Sequence, residues 1–131
     1  MTFLPNPNPR PNPNPRPNSD PSPGDLTGRT LLLPLPAEID VSNAGGLLVH
    51  TMNIVEHRAD RLRVLVLDLT RTEFIDSQGV HLVDGVRRRL RHPAELRVAA
   101  DPDGMVQRVL ELTGLRRDVP VYGNVAEAVR S

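Results

Sequence analysis

Residues 64–80 read Val-Leu-Val-Leu-Asp-Leu-Thr-Arg-Thr-Glu-Phe-Ile-Asp-Ser-Gln-Gly-Val, and three structural events follow one another within them. Val64 to Leu69 is nearly continuous in apolar residues, which is how a strand buried on both faces of a parallel sheet reads. A polar turn through Arg71 to Glu73 ends it, and Phe74-Ile75 follows. From Asp76 or Ser77 the period becomes helical, with Gly79, Leu82, Val83, Val86 and Leu90 on one stripe. The helix is expected to run to about Arg91. Arg87, Arg88, Arg89 and Arg91 crowd its final turns, where the backbone dipole favours cations, and Pro93 prevents continuation.

Upstream, Thr30 to Leu35 is an apolar strand that stops at Pro34-Leu-Pro36. Ser42 is then expected to cap a helix whose apolar face is Ala44, Leu47, Leu48, Met52, Val55 and Ala59, with Thr51 beside them. Gly45 and Gly46 weaken its first turn. Downstream, Leu96 to Ala100 makes another strand, and Asp101-Pro102 is expected to cap a third helix carrying Met105, Val106, Val109 and Leu110. Gly114 stands where a left-handed C-terminal stop belongs, with Leu115 folding back after it. Val119 to Tyr122 is a last short strand, and Asn124-Val-Ala-Glu127 resembles a capping box that opens a terminal helix. Strand and helix alternate throughout. That order predicts a single α/β domain with a mixed, mostly parallel sheet.

The first part of the 131-residue chain differs in kind. From Met1 to about Asp25, Pro and Asn dominate, and only Phe3 and Leu4 could bury much area. Pro5 to Pro17 writes Pro-Asn-Pro-Asn-Pro-Arg twice, a pattern that removes backbone donors and favours extended, solvated backbone. Residues 1–25 are therefore expected to be a disordered, inert tail, and residues 26–131 the folded domain. With two Phe, one Tyr and no Trp, the core must be aliphatic.

Composition removes several chemistries. Formal net charge is zero, so no global field gathers nucleic acid or anionic membrane, and the helix-end arginines read as a solvated, dipole-compensating cluster. All sixteen Lys-or-Arg residues are Arg. The lack of lysine excludes a P-loop, a Schiff base and an aspartate-phosphorylated receiver, in spite of Asp68 at a strand end. There is no Cys, hence no disulfide or thiolate metal site, and His50, His57, His81 and His92 lack ligand spacing. A nucleophile elbow at Ser77 would need Gly two positions earlier, where Ile75 stands. The expectation is a protein without catalytic activity or cofactor. No signal-peptide pattern opens the chain and no run approaches the ~20 apolar residues of a membrane helix. The expected compartment is the cytoplasm, without membrane insertion.

Three landmarks carry a family resemblance. Thr72-Glu-Phe-Ile-Asp-Ser-Gln-Gly-Val80 resembles the signature of the STAS domain of anti-sigma factor antagonists, a strand end running into Asp-Ser-x-Gly at a helix start. Pro36-Ala-Glu-Ile-Asp40 is similar to that family's Gly-Glu-Leu-Asp loop, and Leu112-Thr-Gly-Leu115 to its Leu-Thr-Gly-Leu. The resemblance spans roughly Thr30 to Val129. It implies that Ser77 is a phosphoacceptor for a partner that is both anti-sigma factor and serine kinase, with a serine phosphatase resetting it. The unmodified form would bind that partner and release a sigma factor, with Asp40, Asp76, Ser77, Gln78 and Gly79 in the interface.

Departures accompany it. Ala37 stands for the usual Gly, Gln78 and Val80 for a common Ser and Leu, and the family's opening strand has no clear counterpart, so the sheet is expected to lack that edge or pair it irregularly. Two other functions share the fold or the helix terminus: a STAS module in a transport or stress-signalling assembly, and a small-ligand or nucleotide-binding domain. A third, simpler reading of Ser77 makes it only a helix N-cap.

Overall fold

A computed structural model describes residues 24, 25 and 28–131; the readings of Phe3, Leu4 and the Pro-Asn repeat lie outside them. Within them, five strands form one sheet in the order β1-β2-β4-β6-β7. These are β1 (Gly24–Asp25), β2 (Thr30–Pro34), β4 (Val64–Leu69), β6 (Glu95–Ala100) and β7 (Val121–Tyr122). A second, two-stranded sheet pairs β3 (Glu38–Ile39) with β5 (Phe74–Ile75). The helices are α1 (Ala44–Glu56), α2 (Ser77–Arg89), α3 (Met105–Leu112) and α4 (Val125–Arg130).

Every pairing is parallel except that of β1 with β2. The edge that the sequence left in doubt is present as a two-residue strand, Gly24 opposite Leu32 and Asp25 opposite Leu31.

β4 occupies the centre and is buried on both sides, as its composition requires. Alternation divides the sheet's residues between two cores. Leu31, Leu33, Leu65, Leu67, Leu69 and Val98 face the larger core with α1, α2 and α3, while Leu32, Val66 and Ala99 face a smaller one closed by Ala128 of α4. Arg97 fastens that smaller layer, donating from Nη1 to the Ala128 carbonyl at 3.0 Å. The result is a three-layer α/β/α domain.

Two features of the helices depart from the sequence reading. Ser42 does not cap α1: Asn43 is the N-cap residue, and the Ser42 hydroxyl and N–H both donate to Asp40 Oδ1. Asp101 does not cap α3 directly either, because the helix begins later, after Gly104, and Asp101 Oδ1 accepts from the Asp103 N–H. In both places a carboxylate organises its own turn before the helix starts, a local bond that competes with the cap. Gly114, at φ +80°, takes the left-handed stop as expected, and Leu115 is buried behind it. Asn124 Oδ1 accepts from Glu127 N–H and opens α4. Ala59, placed on the face of α1 by period, lies past its end and is exposed, whereas Leu62 in the following turn is 2 % exposed.

The centre of β4 is where packing should matter most. Leu65 is fully buried, and Leu65→Ala is expected to cost about 2–5 kcal/mol through lost burial and a residual cavity. The change is read as a lower urea midpoint with unchanged slope.

Candidate functional site

The site forms where two connections run side by side at the ends of β2 and β4. Leu35 N–H donates to the Asp68 carbonyl at 2.9 Å, Thr72 Oγ1 to the Pro36 carbonyl at 2.8 Å, and Glu73 N–H to the Ala37 carbonyl at 2.7 Å. The ladder then pairs Glu38 with Phe74 and Ile39 with Ile75. Asp76 N–H donates to the Ile39 carbonyl at 3.2 Å. The Asp40 loop is thereby carried alongside the Asp76-Ser77 turn, although 36 residues separate Asp40 from Asp76 in the chain.

Strand alternation sorts the next side chains. Ile39 and Ile75 turn inward and are buried, while Phe74 stays 43 % exposed. Asp76 is the N-cap of α2, its Oδ1 accepting from Gln78 N–H at 2.8 Å and Gly79 N–H at 3.2 Å. The cap role considered for Ser77 thus belongs to its neighbour. Ser77 is the first residue of α2, exposed, and its hydroxyl makes no hydrogen bond among the described residues. Gln78 is exposed beside it.

Gly79 is buried and faces the core. A Cβ there would collide with Ile75 Cγ1 and stand 3.1 Å from Ile39 Cγ2. Its missing side chain lets the helix settle onto the two-stranded ladder. The side of Gly79 that faces the core is thus filled by Ile75 and Ile39, and it is not open to a partner.

Asp40 is half-buried and closes its own loop. Its carboxylate accepts from the Ser42 hydroxyl and, at 2.9 Å, from the Ser42 N–H, while its N–H donates to Asn43 Oδ1 at 2.9 Å. The Ser42 hydroxyl foremost, then the Ser42 N–H, hold its carboxyl below the ordinary carboxylate range. Asp40, Asp76, Ser77 and Gln78 therefore share one end of the domain, with Gly79 beneath them.

Sequence reasoning missed the apolar part of this surface. Val41 is 76 % exposed next to Asp40, and Met105 at the start of α3, which packs against β5, is 37 % exposed. The period of two in Phe74-Ile75 could have signalled that Phe74 faces outward; nothing in the sequence distinguishes Val41 or Met105. Among the described residues no cluster of His, Asp and Glu is arranged to hold a metal ion.

Comparison with known proteins follows from this geometry. The family model of the STAS domain matches residues 25–128, most of the chain. The chain belongs to the STAS domain family. Among solved structures, an anti-sigma factor antagonist from Mycobacterium paratuberculosis is similar, with 27% identity and a TM-score of 0.74, covering 83% of this chain and 89% of that one. The anti-sigma factor antagonist SpoIIAA in its unphosphorylated form shares the fold at 20% identity and a TM-score of 0.66, covering 82% and 91%. No curated protein sequence matches the chain significantly. Among the described residues, no helix of this STAS domain is long and apolar enough to cross a membrane.

Division of roles between the neighbours is measurable. Asp76→Ala should lose the cap and about 1 kcal/mol of stability, whereas Ser77→Ala should stay within ~0.5 kcal/mol of the unsubstituted protein in urea unfolding. A second expectation concerns pH. Asp40 has a folded pKa below its unfolded one, so its stabilising effect is present above the ordinary carboxylate value and lost as pH falls through the lowered one. Between pH 5 and pH 2, as a test range of about three units around the carboxylate value, Asp40→Asn should flatten the loss of stability slightly.

Proposed function

We propose that this STAS protein is an anti-sigma factor antagonist whose Ser77 decides whether its partner can bind. In the unmodified form the exposed end of the domain, with Ser77, Gln78, Asp76 and the Asp40 loop, binds an anti-sigma factor that is also a serine kinase, and a sigma factor is released. Phosphate on Ser77 closes that surface, and a serine phosphatase reopens it. The protein acts by binding and catalyses nothing. The observation that carries this reading is the free Ser77 hydroxyl on a helix whose cap is already supplied by Asp76. A hydroxyl with no work in the fold is available to an enzyme. The similar anti-sigma factor antagonist of Mycobacterium paratuberculosis supports the choice of partner class.

Physical chemistry gives the switch its sign. A phosphate adds about −1.5 to −2 charge at one point. At the N-terminus of α2 the free protein tolerates that charge, because backbone N–H groups and the positive end of the dipole point toward it. In a complex the same charge must leave water beside Asp76, with Asp40 on the adjoining loop. Exposed Phe74, Val41 and Met105 supply the apolar area from which such an interface draws affinity. Gly79 contributes by seating the helix so that Ser77 stands forward.

Two substitutions test the switch by calorimetry with the cognate anti-sigma factor. Ser77→Ala should resist phosphorylation and keep affinity, since shape and charge barely change. Ser77→Asp should fold as well as the parent yet lose roughly 2–5 kcal/mol of binding. Equal affinities of the two variants would refute the phosphoswitch and leave Ser77 an ordinary surface serine.

A further inference from the structure

The arginines at the end of α2 do not form one uniform solvated cluster. Arg87 and Arg88 both bind the Asp84 carboxylate, at 2.8 Å each. Arg89 lies back along its helix, donating from Nη1 to the Gly85 carbonyl at 3.1 Å. Gly85 makes this possible: a Cβ there would meet Arg89 Nη1 at 3.2 Å and Leu48 of α1 at 3.5 Å. Arg89 is held over the α1–α2 seam, with the rest of its five N–H donors uncommitted among the described residues. Arg91, just past the helix, has no ion-pair partner among them.

Those two arginines help to line a cavity of about 370 Å3 between the ends of α1 and α2, far along the helix from Ser77. The rest of its lining is Met52, Val55, Ala59, Leu62, Leu90 and Ala94, with Glu56 as its one acidic residue. A shallower groove beside Leu48, Val49 and Asn53 meets the cavity at Met52, Glu56, Arg89 and Arg91. All three charged residues of the lining, Glu56, Arg89 and Arg91, lie on the side shared with that groove; apolar walls with a few polar groups are the usual make-up of a small-molecule site, and the volume falls in the usual range.

We propose that this cavity binds a long-chain carboxylate, its alkyl chain between α1 and α2 and its carboxylate on Arg89 and Arg91. Charge selects the occupant. Two guanidinium groups against one Glu56 carboxylate leave one net positive charge in the lining, which suits a monoanionic head. The planar fork of arginine matches a carboxylate's two oxygens. Met52 lets the wall adapt to chains of different length. The chain's own apolar tip, Phe3-Leu4, is a poorer match, because it has no acidic neighbour to bring to two arginines: the nearest charged residue of the tail is Arg10.

The test is calorimetric titration of the full-length protein with sodium dodecanoate below its micelle concentration. One saturable site is expected. Arg89→Gln with Arg91→Gln should weaken it roughly tenfold or more, and Ala59→Trp should fill the cavity and remove binding. Dodecyltrimethylammonium, of the same chain length and opposite charge, should not bind. Both arginines and Ala59 lie at the surface, so unchanged urea midpoints will certify the variants. The proposal is overturned if no saturable binding occurs, if the arginine pair leaves the affinity unchanged, or if the cationic amphiphile binds equally. It is also overturned if Phe3→Asp with Leu4→Asp tightens dodecanoate binding roughly tenfold, which would make the tail the cavity's occupant.

Discussion

The Asp76 N–H donates to the Ile39 carbonyl, and that bond extends a parallel ladder whose strands are only two residues long. So short a ladder has little stability of its own. It persists because Ile39 and Ile75 are both driven into the main core and because Gly79 leaves room above them. Everything at the candidate site hangs from it. The bonds from Thr72 to Pro36 and from Glu73 to Ala37 lead into the ladder, and the Asp40 loop and the start of α2 leave it together. Without the ladder, Asp40 and Asp76 would be ends of unrelated loops.

Past the ladder, adjacent residues divide the labour. Asp76 satisfies two of the N–H groups that a helix start leaves open, and Ser77 satisfies none. A residue that holds the fold can be modified only at a cost in stability. One that is merely carried by the fold can change its charge freely, and the consequence appears where a partner must displace water. The same separation holds at the other end of α2. Arg87 and Arg88 neutralise Asp84 and compensate the dipole, holding its carboxyl below the ordinary range, while Arg89 and Arg91 are left to face a cavity.

Long elements of this fold were legible because their burial writes a period into the sequence. β4 had to be central since both of its faces are apolar, and α2 had to lie on the sheet by the stripe from Gly79 to Val86. The resemblance at Asp76-Ser77 pointed to the candidate site, and the ordered landmarks fell at the ends of the expected elements. What escaped was local. β1, β3 and β5 are two residues long, too short for alternation to register. Ser42 and Asp101 looked like caps because residue type suggests a cap without showing which neighbour takes the bond; Asp40 took the hydroxyl of one, and the other bonds within its own turn. Leu62 entered the core from a turn, where no period points to it. Exposure of Val41 and Met105 depends on how loops from distant parts of the chain converge, and a linear reading has no access to that.

The central claim is that Ser77 governs partner binding without supporting the fold, and one measurement addresses both halves. The chain would be prepared with phosphoserine at position 77, and its urea unfolding compared with that of the unmodified chain, each alone and with excess anti-sigma factor. Alone, the two should agree within ~0.5 kcal/mol, since the phosphate sits at an exposed helix start whose cap is elsewhere. With the partner present, only the unmodified chain should shift to higher urea, by the increment that mass action gives to a ligand bound by the folded state. A phosphorylated chain that is destabilised by itself, or that the partner stabilises as strongly as the unmodified one, would contradict the account.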